Sequence, residues 1–232
     1  MQSYQDERVL VISPHTDDEL FGCGGTLLKM MQERKYSIKL AVTSCTTRWL
    51  AHLNRNISGD EQWEEFVNCS KHISTDDPVR FDTNERLEDV STHLIVRWLD
   101  KLILDYQPTT VFIPEPSYHQ EHQLTYRAAI AACRPTYGNR DIKNVVLYEI
   151  PTNTWSGAET IFKPNLYVDI TDQIDRKIEI FRSSYKLQYT KDERKLIGEK
   201  GIISHAMYRG IESQHKFSET FMLIRSTSGM LI

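Results

Sequence analysis

The chain has 232 residues, 40% hydrophobic and 26% charged, with a formal net charge of -4. That length and apolar content suit one sizeable α/β domain or two small ones, and the acidic balance argues against a nucleic-acid binder that works through bulk basicity. No apolar run is long enough to cross a bilayer, and the acid-containing start MQSYQDERVLVIS is no signal peptide. A cytoplasmic location is therefore expected, with Cys23, Cys45, Cys69 and Cys133 as reduced thiols because no Cys-x-x-Cys pair occurs.

Val9 to Ile12 reads as a buried strand, followed by Ser13-Pro14 and then His15, Asp17, Asp18 and Glu19. Leu20, Cys23, Leu27 and Met31 recur at helical spacing, predicting a helix to about Arg34. Ser37 to Ser44 alternates as a second strand. Strand, helix and strand at this spacing imply a right-handed crossover and a parallel sheet. Thr46 to Asp60 reads as an irregular loop over the sheet's carboxyl edge. A helix over Glu61 to Ile73 would turn Trp63, Phe66 and Val67 inward and leave its acids, Glu65 included, on a solvated face.

A short strand is expected at Val79 to Phe81. An amphipathic helix follows over Arg86 to Asp105, with Val90, Leu94, Trp98 and Leu102 as its buried stripe. Thr109 to Ile113 is another buried strand, followed by a polar loop and a helix from about His122 to Cys133. Further strands are expected at Asn144 to Ile150 and Leu166 to Ile170. Thr171 then caps a helix carrying Ile174, Ile178, Phe181 and Tyr185. Beyond Gln188 the pattern weakens to a short helix near Ile202 to Gly210 and a strand near Phe217 to Ile224. No repeat or low-complexity linker divides the chain, so residues 1–232 are read as one domain.

Two clusters carry chemistry. Three acids and a histidine crowded at the end of a buried strand repel one another and desolvate poorly, and a metal cation reverses that cost. The turn at His15 to Glu19 is therefore read as half of a catalytic zinc site. The second cluster, His119-Gln120-Glu121-His122, follows another buried strand. In parallel α/β sheets the loops after the strands gather at one edge, where ligands bind. Two histidines and one carboxylate leave zinc an open position for water. An isolated histidine is more simply a loop cap or a surface residue, the reading adopted for His52, His72, His93, His205 and His215. A dinucleotide fingerprint at Gly22, Gly24 and Gly25 fails, because Leu27 stands where a third glycine is needed. Those glycines instead let the helix pack closely on the sheet.

The motif Pro14-His15-Thr16-Asp17-Asp18-Glu19 with Gly22-x-Gly24-Gly25-Thr26, and then His119-x-Glu121-His122, resembles the PIG-L (LmbE-like) zinc-dependent de-N-acetylases. The resemblance extends through Tyr148-Glu149, Pro164-Asn165-Leu166 and Ser218-Glu219-Thr220-Phe221, and so covers most of the chain. It implies a Rossmann-like, mostly parallel sheet with helices on both faces. It also implies Zn2+ (or another divalent cation such as Fe2+) held by His15, Asp18 and His122, with Asp17 as general base. By the same resemblance a protonated His119 stabilises the oxyanion, and Glu121, in place of the family's usual Asp, orients His119. Asp82 resembles a residue contacting a sugar hydroxyl, the alternative being a loop cap, while Arg48 and Arg55, in the Thr46 to Asp60 loop, could reach a phosphate or carboxylate or be ordinary surface cations. The implied partner is an N-acetylated sugar or glycoconjugate, and a homo-oligomer is allowed.

Three departures are visible. Thr16 replaces the usual Pro, Ser117 replaces an Asp two residues before the first histidine of the second motif, and Asp60 and Glu61 lie where many members carry an Arg. The last bears on recognition of an anionic substrate group. Rival readings are a zinc hydrolase of another amide or ester bond and a non-catalytic sugar-binding module. His-Glu-x-x-His does not occur, which removes the commonest metallopeptidase signature, and Asp17 beside a full ligand set argues for catalysis.

Overall fold

The computed structural model describes residues 7–33, 35–83, 85–135, 141–151 and 162–227. The elements, in chain order, are β1 (Glu7–Ser13), α1 (Asp18–Glu33), β2 (Tyr36–Val42), β3 (Arg48–Leu50), β4 (Arg55–Ile57), α2 (Gly59–Ile73), β5 (Val79–Arg80) and α3 (Thr92–Tyr106). They continue with β6 (Thr110–Pro114), α4 (Gln120–Ala132), β7 (Asn144–Tyr148), β8 (Leu166–Asp169), α5 (Ile174–Ser184), α6 (Lys191–Glu193), α7 (Lys200–Ser213) and β9 (Ser218–Ser226). The expected end of α1 near Arg34 falls outside the described residues.

Seven strands form one sheet in the order β5-β2-β1-β6-β7-β9-β8. The first five in that order run parallel, while β9 pairs antiparallel with both β7 and β8. Alternation along β1 explains how the sheet is sandwiched. Val9 and Val11 enter one apolar cluster with residues of α1, α2, α5 and α7, whereas Leu10 and Ile12 enter a second with residues of α3 and α4. Helices thus cover both faces, as expected for a mostly parallel sheet. The chain leaves β1 toward β2 on one side and reaches β6 on the other by crossing the sheet. The carboxyl ends of β1 and β6 therefore flank a topological switch point, where α/β sheets bind ligands.

The motif glycines are explained by close packing. A Cβ on Gly22 would lie 2.2 Å from Tyr148 Cδ2 and 3.0 Å from the Glu149 carbonyl. The N–H groups of Gly25 and Thr26 donate to the two carboxylate oxygens of Glu219 at 2.8 and 2.7 Å, and Lys177 Nζ donates to Glu219 Oε1 at 2.7 Å. The Ser218-Glu219 tail motif therefore anchors α1 from β9. Substituting Gly22→Ala should push Tyr148 off its hydrogen bond to the Ile12 carbonyl (2.9 Å). By the usual cost of overpacking, it should destabilise the fold by about 1–3 kcal/mol, read as a lowered urea midpoint at unchanged slope.

Several expectations are corrected. The span Thr46 to Asp60 is not irregular: β3 and β4 form an antiparallel ribbon beside the main sheet. Glu65 is buried and accepts the Leu187 N–H at 2.6 Å, so it is not part of a solvated face. α3 starts at Thr92, six residues later than expected from Arg86, and its buried stripe is Ile95, Leu99 and Ile103, while Leu94 is exposed. Thr171 does not cap α5; it donates its hydroxyl to Asp169 Oδ1 at 2.6 Å, and α5 begins after Gln173.

Candidate metal centre and active site

β1 ends at Ser13, and the next four residues turn the chain into α1. Asp18, the first residue of α1, closes that turn by accepting the His15 N–H on Oδ2 at 2.9 Å. A carboxylate at that point also complements the helix N-terminus. Across the switch point, His119 caps α4 and His122 lies in its first turn. The two clusters meet here.

His15 Nδ1 lies 3.2 Å from Asp18 Oδ2, His122 Nε2 lies 3.3 Å from the same oxygen, and the two ring nitrogens are 3.2 Å apart. Donors bound tetrahedrally at the usual Zn–N and Zn–O lengths stand about 3.3–3.4 Å from one another. The triangle His15–Asp18–His122 therefore has the dimensions of one face of a zinc coordination tetrahedron, and its donor set suits that ion. His119 also brings a ring nitrogen within 4.8 Å of those of His15 and His122. Two sets of three donors therefore meet here, His15–Asp18–His122 with edges of 3.2–3.3 Å and His15–His119–His122 within 4.8 Å.

The charges around the triangle have identifiable causes. Burial by itself lowers His15, but hydrogen bonds and charge from Asp18 and Glu121 outweigh it and raise its pKa to about 10. Burial dominates at His122, which falls to about 4 despite Asp18 and stays neutral, ready to bind metal. Asp18 and Glu121 both resist the upward push of burial and fall to about 2, Asp18 through His122 and His15, Glu121 through His15 and Ser44. Without metal, His15 is thus an imidazolium, and an ion at the triangle must replace its Nδ1 proton. Zinc binding near pH 7 should release about one proton per ion, measured by calorimetry in buffers of different ionisation heat. Binding without proton release would contradict this charge assignment.

The Glu121 carboxylate, expected from the resemblance to orient His119, is paired elsewhere. His15 Nε2 donates to Glu121 Oε2 at 2.6 Å, and Ser44 Oγ donates to Glu121 Oε1 at 2.6 Å. Glu121 is therefore the carboxylate behind a candidate ligand, and it leaves His15 Nδ1 toward Asp18 and His122. His119 has a different set of neighbours. Its Nδ1 accepts the Glu121 backbone N–H at 3.3 Å, and burial, followed by the His15 charge, lowers its pKa. With Nδ1 accepting, the ring nitrogen left as a donor is Nε2.

Asp17 is buried beside the triangle but outside it. Burial and then the charge of Asp18 push its carboxyl up, against opposing contributions from Arg48 and Tyr189. The Tyr189 hydroxyl donates to Asp17 Oδ2, and its ring packs against Phe21 and Phe181. Thr16, fully buried, accepts a hydrogen bond from Gln188 Nε2 at 2.9 Å, so its hydroxyl is used although Pro is usual there. Ser117 Oγ accepts the His119 N–H at 3.2 Å.

A cleft of about 510 Å³ opens over the centre, lined by His15, Ser44, Arg48, Gln62, His119 and Glu121 among others. A second cleft of about 270 Å³ adjoins it through Thr46, Thr47 and Arg86. Arg48 faces the first cleft, whereas Asp82 is exposed and lines only the second. Trp49 is exposed on the ribbon, and Trp63 packs on Phe66 beneath Arg80. The sequence reading missed Ser44, Gln188 and Tyr189. Ser44 ends the expected second strand, but nothing in the pattern around Gln188 and Tyr189 points to a site.

No described helix is long and apolar enough to cross a membrane. The chain is 24% identical over 225 residues to a diacetylchitobiose deacetylase from Thermococcus kodakarensis, covering 92% of this chain and 81% of that protein. It is 22% identical over 171 residues to an uncharacterized deacetylase, YaiS, from Escherichia coli, covering 71% and 83%. Among solved structures, an N,N'-diacetylchitobiose deacetylase from Pyrococcus horikoshii in complex with an inhibitor superposes with a TM-score of 0.75 at 21% identity, over 95% of this chain and 85% of that one. GalB, a 4-carboxy-2-hydroxymuconate hydratase from Pseudomonas putida, also reaches 0.75, at 15% identity over 97% and 99%. The fold therefore does not by itself decide the chemistry. The PIG-L model, described as GlcNAc-PI de-N-acetylase, matches residues 10–133, a span that contains both clusters and all three edges of the donor triangle, and the chain belongs to that family.

Proposed function

We propose that the chain is a zinc-dependent hydrolase that removes the N-acetyl group from an N-acetylated amino sugar or glycoconjugate. The observation that carries this reading is a three-donor triangle of zinc dimensions with an unligated carboxylate, Asp17, next to it. Family membership and the deacetylase names of the relatives support the same reading. When bound, zinc supplies Lewis acidity toward the acyl carbonyl and lowers the pKa of water to about 7 in favourable sites.

The side chains divide the remaining work. Asp17, with Oδ2 held by Tyr189, takes a proton from the attacking water and delivers it to the leaving nitrogen. His119 donates Nε2–H to the acyl oxygen as negative charge develops there. Glu121 keeps His15 in one ring orientation. The first cleft has room for the acylated sugar ring and for the group attached to it.

The test is a panel of N-acetylated sugars assayed for free amine and acetate. At least one sugar should be deacetylated, the activity should disappear on chelation and zinc should restore it. Amine release from none of the sugars, or release that persists in metal-stripped protein, would contradict the reading. A hydratase-like reaction, as the GalB likeness would suggest, gives water addition without acetate.

A further inference from the structure

Arg48 differs from the other arginines around the two clefts in what it faces. Arg80 Nη1 donates to Asp60 at 2.9 Å and Arg86 Nε to Glu88 at 3.0 Å. Each has a carboxylate. Arg48 Nη2 instead donates to the neutral amide oxygen of Gln188, and its buried Nε has no acceptor. Among the described residues no acid forms an ion pair with it. Asp17 feels its charge but takes its hydrogen bond from Tyr189. The acids that line the same cleft are already matched, Glu88 by Arg86 and Glu121 by His15 and Ser44.

The guanidinium is also held firmly. Gln188 is buried and donates Nε2–H to Thr16 Oγ1, which leaves its Oε1 toward Arg48. The neighbouring Leu187 ties the ribbon and α2 to the same segment: its N–H donates to Glu65, and its carbonyl accepts from His52 Nε2 at 2.9 Å. A partly buried cation gains most from a charged, hydrogen-bonding partner. One fixed in a cleft without that partner is preorganised to receive it from a ligand.

Resting on the deacetylase reading, we propose that Arg48 determines substrate class by receiving a carboxylate or phosphate carried by the N-acetylated substrate, with Gln188 and Thr16 as the clamp that positions it. The zinc-loaded protein is assayed with the neutral methyl glycoside of N-acetylglucosamine, with N-acetylglucosamine 1-phosphate and with the carboxymethyl glycoside. Wild type should favour one anionic compound in kcat/KM, and which of the two it favours distinguishes phosphate from carboxylate. Arg48→Met should lower the anionic-to-neutral ratio by about 10- to 100-fold, mainly through KM. Arg48→Lys, which keeps the charge but not the fork, should restore part of the ratio, and Gln188→Ala should lower it by less than Arg48→Met does.

A ratio unchanged in Arg48→Met would overturn the proposal, because an arginine serving Asp17 or the acetate product would slow all substrates alike. Absence of any anionic preference in wild type would overturn it as well. Calorimetric binding of the two anionic compounds separates this inference from the reaction assignment. Binding that weakens in Arg48→Met without acetate release from any compound would uphold Arg48 while removing the deacetylase reading.

Discussion

Asp17→Asn is expected to retain one zinc ion per chain and to lose about 10²–10⁴-fold in kcat, the usual worth of a general base. The substitution is nearly isosteric. An asparagine can still accept the Tyr189 hydroxyl, and no edge of the His15–Asp18–His122 triangle involves position 17. It removes only the ability to take and return a proton. KM should therefore change by no more than a few-fold, since the residue is assigned a role in the transition state and not in binding. A single-turnover assay on zinc-replete protein reads this directly. Activity within about tenfold of wild type would show that another group is the base.

His122→Ala is expected to abolish stable metal binding and, with it, activity. His122 is buried on α4 and neutral because burial lowers its pKa to about 4, so it is the histidine of the triangle that needs no deprotonation to bind. The loss should exceed the roughly 10–100-fold cost of removing an outer-shell partner, because two donors remain where zinc prefers at least three from the protein. Zinc at a hundredfold excess over its dissociation constant should stabilise wild type by about 2.7 kcal/mol and leave His122→Ala unmoved. Metal content after dialysis and the melting shift on adding zinc report the two effects separately. A variant that retained zinc and its melting shift would place the ion elsewhere.

Both the sheet and its two side-chain clusters are readable in the chain because chemistry and fold use the same punctuation. The apolar runs at Val9 to Ile12 and Thr109 to Ile113 are each followed within a few residues by histidines and acids, and strands β1 and β6 prove to be sheet neighbours. Period-two and period-3.6 patterns are local, so they survive without a structure. Partner identity is not local. Glu121 lies two residues from His119, which invites pairing, yet a helix cap and a first-turn residue face different ways, and Glu121 meets His15 across 106 positions. Tyr189 reaches Asp17 across 172 positions, from a segment with no periodic signal of its own.

Other misses have equally physical causes. Three-residue strands such as β3 and β4 are too short to show alternation, so the ribbon that carries Arg48 reads as loop. The stripe of α3 is displaced by one residue because Leu87 to Asp89 form a separate 3-10 turn that delays the helix start to Thr92. Conversely, the glycines at 22 and 25 are read correctly as packing devices, since Tyr148 and Ile170 occupy the space a side chain would need.

Zinc-edge anomalous diffraction from crystals soaked in zinc tests the central claim most directly. One peak is predicted at about 2.0–2.2 Å from His15 Nδ1, Asp18 Oδ2 and His122 Nε2, with His119 outside bonding distance. No peak between these three atoms, or a peak bonded to His119 in place of Asp18, would contradict the account.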